Sequence, residues 1–210
     1  MQISNNQKIV IIDYGMGNIG SISNMFKYLG VSAVVSSDPQ IIETADKLIL
    51  PGVGHFDKAI QNINSLNIFD LIRNKALIQQ TPILGICLGM QIMCKTSEEG
   101  VLPGLSLING SVNKFKFQDE LKLKIPHMGW NNIEIVKDTN VLNNLDEDSR
   151  FYFVHSYFVS CENYDDVMTY TNYGKRFVSS FQSQNIIGVQ FHPEKSHKFG
   201  MNIFKNFIEF

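Results

Sequence analysis

The sequence lacks the features of a membrane protein, a nucleic-acid-binding protein or a secreted protein. No apolar run approaches the roughly 18 residues that a transmembrane helix needs, and the first residues, MQISNNQK, lack the apolar core of a signal peptide. The formal net charge is −2, without clustered basic residues. We therefore expect a cytoplasmic protein that binds a small polar ligand or another protein, with no nucleic-acid or membrane partner.

Cysteine is scarce. The chain contains only Cys87, Cys94 and Cys161. An odd number without C-x-x-C spacing argues against both a disulfide framework and a zinc site. We expect no metal, no cofactor and three free thiols that are available for chemistry.

The sequence does contain the alternating pattern of an α/β protein. Its 210 residues, 44% of them hydrophobic, are enough for one domain with a proper core. The apolar runs KIVIID, KLILPG and TPILGI are typical of buried parallel strands, with helical spacing between the first two. From Gly104 onward strand-like runs such as FYFVHSYFV alternate with turns, and a last helix is predicted at about 196–210. Ligands of such sheets bind beyond the carboxyl ends of the strands.

The segment PILGICLGMQIM carries the sharpest chemical signal at such a strand end. Gly85, Cys87 and Gly89 form G-x-C-x-G between a predicted strand and a predicted helix, the thiol version of the turn that exposes a nucleophile in hydrolases. The positive end of the helix dipole stabilises a thiolate there. The N–H of Leu88 and the glycine-rich segment after KLIL, with Gly52 and Val53, are candidate donors to an oxyanion.

A thiol nucleophile needs a base and a group that orients the base. GVQFHPEKS provides His192 and Glu194 after another predicted strand, two residues apart and therefore facing the same way. We predict that Glu194 holds the tautomer in which His192 moves the proton. The other histidines have no carboxylate two residues later and are interpreted as structural or rim residues: His55, His127, His155 and His197.

These two signatures, GICLGMQ and FHPEKS, resemble those of class I glutamine amidotransferases, in which a Cys-His-Glu triad releases ammonia from L-glutamine. DYGMGN, PGVGHF, IPHMGWN and HSYFV are similar to the glutaminase subunits of imidazole glycerol phosphate synthases. The resemblance implies a single domain over residues 1–210, with a central, mostly parallel sheet flanked by helices and additional antiparallel strands in the C-terminal half. It also implies a heterodimeric partner in histidine biosynthesis, the (β/α)8 cyclase subunit.

The resemblance assigns further roles residue by residue. Cys87 attacks the glutamine amide, and the segment Gly52–Val53 forms the oxyanion hole together with Leu88. Glutamine-binding residues are Gln91, Glu99, Ser156 and Tyr157. The predicted partner interface comprises Asn18 and Ser21 from the first loop and Lys195 beside the triad glutamate.

Other functions remain open at the level of sequence. Gly15, Gly17 and Gly20 spell G-x-G-x-x-G, with Asp38 at the distance of a ribose contact, as in a dinucleotide-binding oxidoreductase. We interpret that spacing as coincidental and Asp38 as a turn or helix start. A stand-alone thiol hydrolase is another alternative. This sequence departs from the resembled subunits at two positions: Gly20 replaces a residue that is usually larger, and Asn109 replaces a residue that is usually proline. These departures leave open a related glutaminase that supplies ammonia to surface-sugar synthesis.

Overall fold

The computed structural model describes residues 7–117 and 123–210; the first six residues of the N-terminal segment MQISNNQK lie outside the described residues. The described strands are β1 (Ile9–Ile12), β2 (Ala33–Ser36), β3 (Lys47–Leu50), β4 (Ile83–Ile86), β5 (Thr96–Ser97), β6 (Gly110–Lys114), β7 (His127–Asn132), β8 (Glu134–Ile135), β9 (Arg150–His155), β10 (Tyr157–Cys161), β11 (Val167–Asn172), β12 (Arg176–Ser183) and β13 (Ile186–Val189). The α-helices are α1 (Ile19–Tyr28), α2 (Pro39–Glu43), α3 (Phe56–Ser65), α4 (Phe69–Arg73), α5 (Leu88–Gln91) and α6 (His197–Glu209).

The main sheet joins a parallel half to an antiparallel half. Its order is β2-β1-β3-β4-β13-β12-β10-β6-β5, and β11 also pairs with β12. The strands from β2 to β13 are parallel to one another, whereas β12 is antiparallel to both of its neighbours in that order. A separate two-stranded sheet pairs β7 with β9. This is the predicted α/β fold with added antiparallel strands.

Alternation along the buried strands divides the core into two clusters. In β1, Val10 and Ile12 pack with the apolar faces of α3 and α4, whereas Ile9 and Ile11 pack with α1 and α6 on the opposite face of the sheet. Every residue of β1, β3 and β4 that contributes to these clusters is almost completely buried. The continuous apolar runs in the sequence therefore reflect strands that are covered on both faces.

Two parts of the sequence pattern differ from their simplest interpretation. FYFVHSYFV is a single strand-like run, but the chain leaves one sheet after His155 and enters the other at Tyr157. The polar segment 136–150 contains a short 3-10 helix, Asn140–Leu142, whose Val141 and Leu142 are buried in the core. Local apolarity thus identified the strands but not the sheet to which each belongs.

The parallel half of the sheet brings the predicted site segments to one edge. The chain leaves β1 at Asp13, β3 at Pro51, β4 at Cys87 and β13 at Gln190. Because these four strands are neighbours and run in the same direction, their following loops meet beyond the carboxyl ends. The candidate site is built there.

Candidate active site

Cys87 occupies a strained turn between β4 and α5. Its φ of 54° and ψ of −108° lie in a region that non-glycine residues rarely adopt. A Cβ atom at Gly89 would lie 1.8 Å from the Leu50 carbonyl oxygen, and one at Gly85 would lie 2.8 Å from the Gly89 carbonyl oxygen. Both glycines are therefore required by close packing, as expected for a turn that presents a nucleophile. Since α5 has only four residues, its dipole is weaker than that of a long helix.

His192 and Glu194 form a buried pair on the loop after β13. Nδ1 of His192 lies 2.8 Å from Oε1 of Glu194, and both side chains are only 1% exposed. Nδ2 of Asn18 donates to the same carboxylate oxygen at 3.0 Å. Nε2 of His192 is buried and has no hydrogen-bond partner among residues 7–117 and 123–210. The imidazole is thus oriented through one nitrogen and free to exchange a proton through the other.

The charges of this cluster determine its protonation. Burial acts to lower the pKa of His192, but Cys87 and then Glu194 outweigh it and raise the pKa to about 10. Burial acts to raise the pKa of Glu194, but the hydrogen bond and charge of His192, with the amide of Asn18, lower it below its usual range. His192 is consequently held as an imidazolium between two groups that favour its positive charge.

A cavity of about 300 Å³ opens next to Cys87 and His192. Its lining consists of Val53, Gly54, Cys87, Leu88, Gln91, Glu99, Pro126, Val154, His155, Ser156, Tyr157 and His192. The structure therefore brings together residues from separate segments of the chain, including the predicted nucleophile, base and glutamine-binding residues. A volume of this size holds a small molecule.

The candidate oxyanion segment packs directly on the nucleophile turn. A Cβ atom at Gly52 would lie 2.6 Å from the Gly89 backbone nitrogen, so only glycine fits there. The hydroxyl of Tyr14 donates to the Pro51 carbonyl oxygen at 2.5 Å and holds the chain at the end of β3. Val53 follows; it is 37% exposed and lines the cavity. The backbone around Gly52 and Val53 is therefore close to the N-terminal turn of α5.

Two of the predicted glutamine-binding side chains also make internal hydrogen bonds. Gln91 is buried, and its Nε2 donates to the carbonyl oxygen of Tyr157 and to Oε1 of Gln190, each at 3.0 Å. Oε2 of Glu99 accepts from the backbone N–H of Phe56 at 2.9 Å, at the start of α3. Both side chains still line the cavity. Their internal bonds leave the side-chain oxygen Oε1 of Gln91 and Oε1 of Glu99 for a ligand.

Sequence reasoning missed two features around this cavity. Gln190, which it treated as a strand residue, is fully buried and lies 3.6 Å from the sulfur of Cys87. His127 and His155 were predicted to be structural or rim residues; they are buried, bonded to each other at 2.9 Å, and His155 lines the cavity. His127 and His155 lie opposite each other on paired strands. The sequence indicates this contact only if the segments IPHMGWN and HSYFV are first assumed to be neighbouring strands.

The predicted interface residues have different environments. Asn18 is partly buried, and its amide contacts Glu194, so it supports the triad pair directly. Ser21 is exposed on α1, and Lys195 is exposed with its Nζ 5.5 Å from the centre of the Tyr152 ring. A Cβ atom at Gly20 would meet no atom within 4 Å. The surface beside the triad therefore has room for larger residues at position 20.

The G-x-G-x-x-G spacing has a packing explanation. Gly15 and Gly17 both have positive φ, and a Cβ atom at Gly17 would lie 2.8 Å from the Cβ of Pro51. Asp38 is the N-cap of α2, with its carboxylate accepting from the Gln40 N–H at 2.9 Å. These residues thus shape a turn and begin a helix, as the coincidental interpretation of the motif requires.

Among the residues that the structure describes, no helix has the length and hydropathy that a bilayer crossing requires.

The glutamine amidotransferase class-I family model matches residues 10–210. The match leaves out only the first nine residues of the chain. It therefore includes every residue that we assigned to the candidate site.

Comparison with known proteins places the chain more narrowly. It is 51% identical to imidazole glycerol phosphate synthase subunit HisH 2 of Methanococcus maripaludis, over 96% of this chain and 98% of that protein. It is 45% identical to the protein of the same name from Pseudomonas aeruginosa, over the same shares of both chains. A crystal structure of a glutamine amidotransferase from Thermotoga maritima has the same fold, with a TM-score of 0.63 and 19% identity over 97% of this chain and 84% of that one. The chain therefore belongs to the class I glutamine amidotransferases, and within them to the family of HisH-type glutaminase subunits of imidazole glycerol phosphate synthase.

Proposed function

We propose that residues 1–210 form one glutaminase domain that hydrolyses L-glutamine at Cys87 and passes ammonia to a cyclase subunit, for imidazole glycerol phosphate formation in histidine biosynthesis in the cytoplasm. The observation that supports the chemistry best is the buried pair of His192 and Glu194, 2.8 Å apart, in the same site as a cysteine on a strained turn. This arrangement has the three parts of a thiol-dependent acyl transfer: nucleophile, base and orienting carboxylate.

The first half of the reaction forms a thioester. The Cys87 sulfur attacks the side-chain amide carbon of glutamine, and the carbonyl π electrons move to its oxygen. The backbone of Val53 and the N–H of Leu88 are proposed to stabilise that oxyanion. As the tetrahedral intermediate collapses, the imidazolium of His192 gives its proton to the nitrogen, and the C–N bond breaks to release ammonia.

The second half of the reaction regenerates the enzyme. His192, now neutral, takes a proton from a water molecule that attacks the thioester carbon. A second tetrahedral intermediate collapses with cleavage of the C–S bond, which releases glutamate and restores the imidazolium-thiolate pair. Glu194 keeps Nδ1 of His192 protonated throughout, so Nε2 is the atom that gives and takes the proton.

The cavity supports recognition of an amino acid. We propose that the side-chain oxygen Oε1 of Gln91 and the carboxylate of Glu99 accept hydrogen bonds from the substrate ammonium group, and that the backbone of Ser156 and Tyr157, which also line the cavity, makes further contacts with the substrate.

The proposed partner is a (β/α)8 cyclase subunit that docks at the strand-end edge. Free ammonia is protonated in water, so a glutaminase with no acceptor site of its own needs a partner that receives ammonia directly. Ser21 and Lys195 are exposed at this edge, and Lys195 provides a cation for a carboxylate on the partner. A pair of this kind affects binding by about 2 kcal/mol or more when it is desolvated and one member is truncated.

Reconstitution with the cyclase encoded in the same genome tests this function. Glutamine hydrolysis is measured for the glutaminase by itself, with the cyclase, and with the cyclase and its acceptor substrate; we expect the last to be fastest and to yield imidazole glycerol phosphate. Lys195→Ala should reduce this stimulation about threefold to tenfold, with little change in the basal rate. Lys198→Ala, on the first turn of α6, is the matched control.

Two results would contradict the proposal in different ways. Equal glutamine turnover with and without the cyclase and its ligand would refute the histidine-pathway assignment and favour the surface-sugar alternative. Hydrolysis that survives Cys87→Ala would refute the glutaminase mechanism itself.

A further inference from the structure

The amide of Gln190 faces the sulfur of Cys87 without being part of the triad. Its Nε2 lies 3.6 Å from Sγ, which is within hydrogen-bonding distance for a sulfur acceptor. Strand β13, which precedes Gln190, pairs in register with β4, which precedes Cys87. The backbone N–H of Gln190 is also bonded to the carbonyl oxygen of Ser179 on β12. The pairing of three strands therefore holds this donor beside the nucleophile.

Neighbouring hydrogen bonds determine which end of the Gln190 amide faces the sulfur. The Tyr157 carbonyl oxygen can only accept, so the Gln91 atom 3.0 Å from it is the amide nitrogen. The same nitrogen lies 3.0 Å from the Gln190 amide, whose facing atom must then be the oxygen. The NH2 group of Gln190 is consequently the end that remains for Cys87.

The Tyr157 carbonyl that orients this chain of amides is itself held in place. It accepts a second hydrogen bond from Nδ1 of His155, at 2.7 Å. Nε2 of His155 is therefore unprotonated and accepts from Nδ1 of His127, at 2.9 Å. Both histidine rings are buried and pack on the ring of Phe153. The orientation of Gln190 is thus connected to a rigid aromatic part of the core.

We propose that Gln190 donates a hydrogen bond to the Cys87 thiolate and that Gln91 keeps the amide in the donating orientation; this inference rests on the proposed function, in which Cys87 is the nucleophile. The carbonyl oxygen of Val154, 3.9 Å from Sγ, is an acceptor and suits the protonated thiol. The Gln190 amide is a donor and suits the thiolate, because a hydrogen bond to the charged form favours that form. Gln190 therefore increases the fraction of Cys87 that can attack.

The pH dependence of Cys87 alkylation tests this role directly. Iodoacetamide is reacted with the full chain from pH 5 to pH 10, and the modified residue is identified by peptide mass spectrometry. In Gln190→Leu the donor is absent, and we expect the midpoint of the alkylation profile to rise by about one pH unit, a tenfold loss of thiolate below the midpoint. Above the midpoint the alkylation rate should approach that of the wild type.

A second variant separates donation from packing. Gln190→Glu keeps an oxygen for the Gln91 amide but places a carboxylate against the sulfur, so we expect a larger upward shift than in Gln190→Leu. A purely structural role predicts the reverse order, because glutamate preserves more of the native contacts. Ser180→Ala is the matched control: it removes a buried hydroxyl, bonded to Thr169 on the neighbouring strand β11, and should leave the midpoint unchanged.

The wild-type protein provides a test that needs no variant. The side-chain NH2 resonances of Gln190 should shift with the same midpoint as Cys87 alkylation when followed by ¹⁵N NMR. Resonances that stay constant through that midpoint would overturn the inference, as would unchanged alkylation midpoints in folded Gln190 variants. Because neither measurement uses glutamine, failure of the inference is distinguishable from failure of the glutaminase function, which Cys87→Ala tests.

Discussion

One buried histidine beside the cavity, His192, is charged, whereas a buried pair beside the same cavity, His127 and His155, is neutral. His192 has a carboxylate on one side and the nucleophilic cysteine on the other, and its pKa is raised to about 10. His127 and His155 have each other and a backbone carbonyl, and their pKa values are lowered to about 4 and about 3, chiefly by burial. Burial acts in the same direction on all three, so the partner decides the outcome.

The difference shows how one site can contain both a proton carrier and a rigid wall. The charged pair of His192 and Glu194 is prepared to give a proton to a leaving group. The neutral pair of His127 and His155 has every ring nitrogen committed to a fixed hydrogen bond, including one from Asn131 to Nε2 of His127. Its direction is set by the Tyr157 carbonyl, and it cannot take a proton without losing a bond.

Removing the nucleophile should have the largest effect. We expect Cys87→Ala to reduce ammonia release from glutamine by at least about 10⁴-fold, with an unchanged circular dichroism spectrum. Because Cys87 contributes most to raising the pKa of His192, that pKa should also fall in the variant, which ¹H NMR of the imidazole can measure. An electrophilic glutamine analogue should label Cys87 and spare Cys161, which is partly exposed; the reverse would contradict the assignment.

Within the charged pair, loss of His192 should reduce activity more than loss of the Glu194 carboxylate. We expect His192→Ala to lower kcat/KM by about 10³-fold, since His192 is the proposed proton donor to the departing ammonia, and Glu194→Gln to lower it by about 10²-fold. Steady-state kinetics with the cyclase complex measures both. Wild-type rates in both variants would show that another histidine is the base.

The neutral pair should be visible in the acid stability of the fold. An unfolded histidine titrates near pH 6.5, whereas the pKa of His155 in the folded protein is about 3. Below pH 6.5 the unfolded state therefore binds a proton that the folded state does not. The stabilising effect of the neutral His155 is complete above pH 6.5 and decreases as the pH falls toward 3, by up to about 1.4 kcal/mol per pH unit.

Substitution of His155 isolates this effect. His155→Asn keeps a donor for the Tyr157 carbonyl but does not titrate. Between pH 7 and pH 5, we expect its free energy of unfolding, measured with urea, to fall by up to about 2 kcal/mol less than that of the wild type. His55→Asn is the control, because His55 is an exposed N-cap of α3 and asparagine caps equally well. Identical pH slopes for wild type and His155→Asn would contradict the neutral pair.

The smallest expected effect comes from the outer support of the charged pair. Asn18 donates to the oxygen of Glu194 that also accepts from His192. Asn18→Ala should lower kcat about threefold to tenfold and reduce the pKa of His192 slightly, because Glu194 is less firmly oriented. The control is Ser21→Ala, one turn further along α1 and exposed. An equal loss in both variants would indicate an effect on partner docking and not on Glu194.

Sequence reasoning predicted the strand ends, the glycine-flanked cysteine and the H-P-E pair because each depends on a few consecutive residues. Asn18 shows where it stopped: it was predicted as an interface residue, and its contact with Glu194 spans 176 positions. Gln190 shows the same limit, since nothing in GVQF distinguishes a glutamine that faces solvent from one that faces a sulfur 103 positions away. Alternation along a strand predicts which residues share a face, but not what lies opposite that face.

The sequence by itself determined the local backbone at the nucleophile, because the glycines at 85 and 89 permit the turn at Cys87. His192 and Glu194 do pair across two residues, but the pair forms at the start of a 3-10 helix, Pro193–Lys195, and not along the extended segment that the spacing predicted. Only the tertiary structure decided which histidine is charged and which amide end faces the sulfur. The physical reason is that a pKa and a hydrogen-bond direction depend on partners within a few ångströms in space. In this chain those partners come from other strands: Tyr157 from β10 and the Cys87 turn from β4.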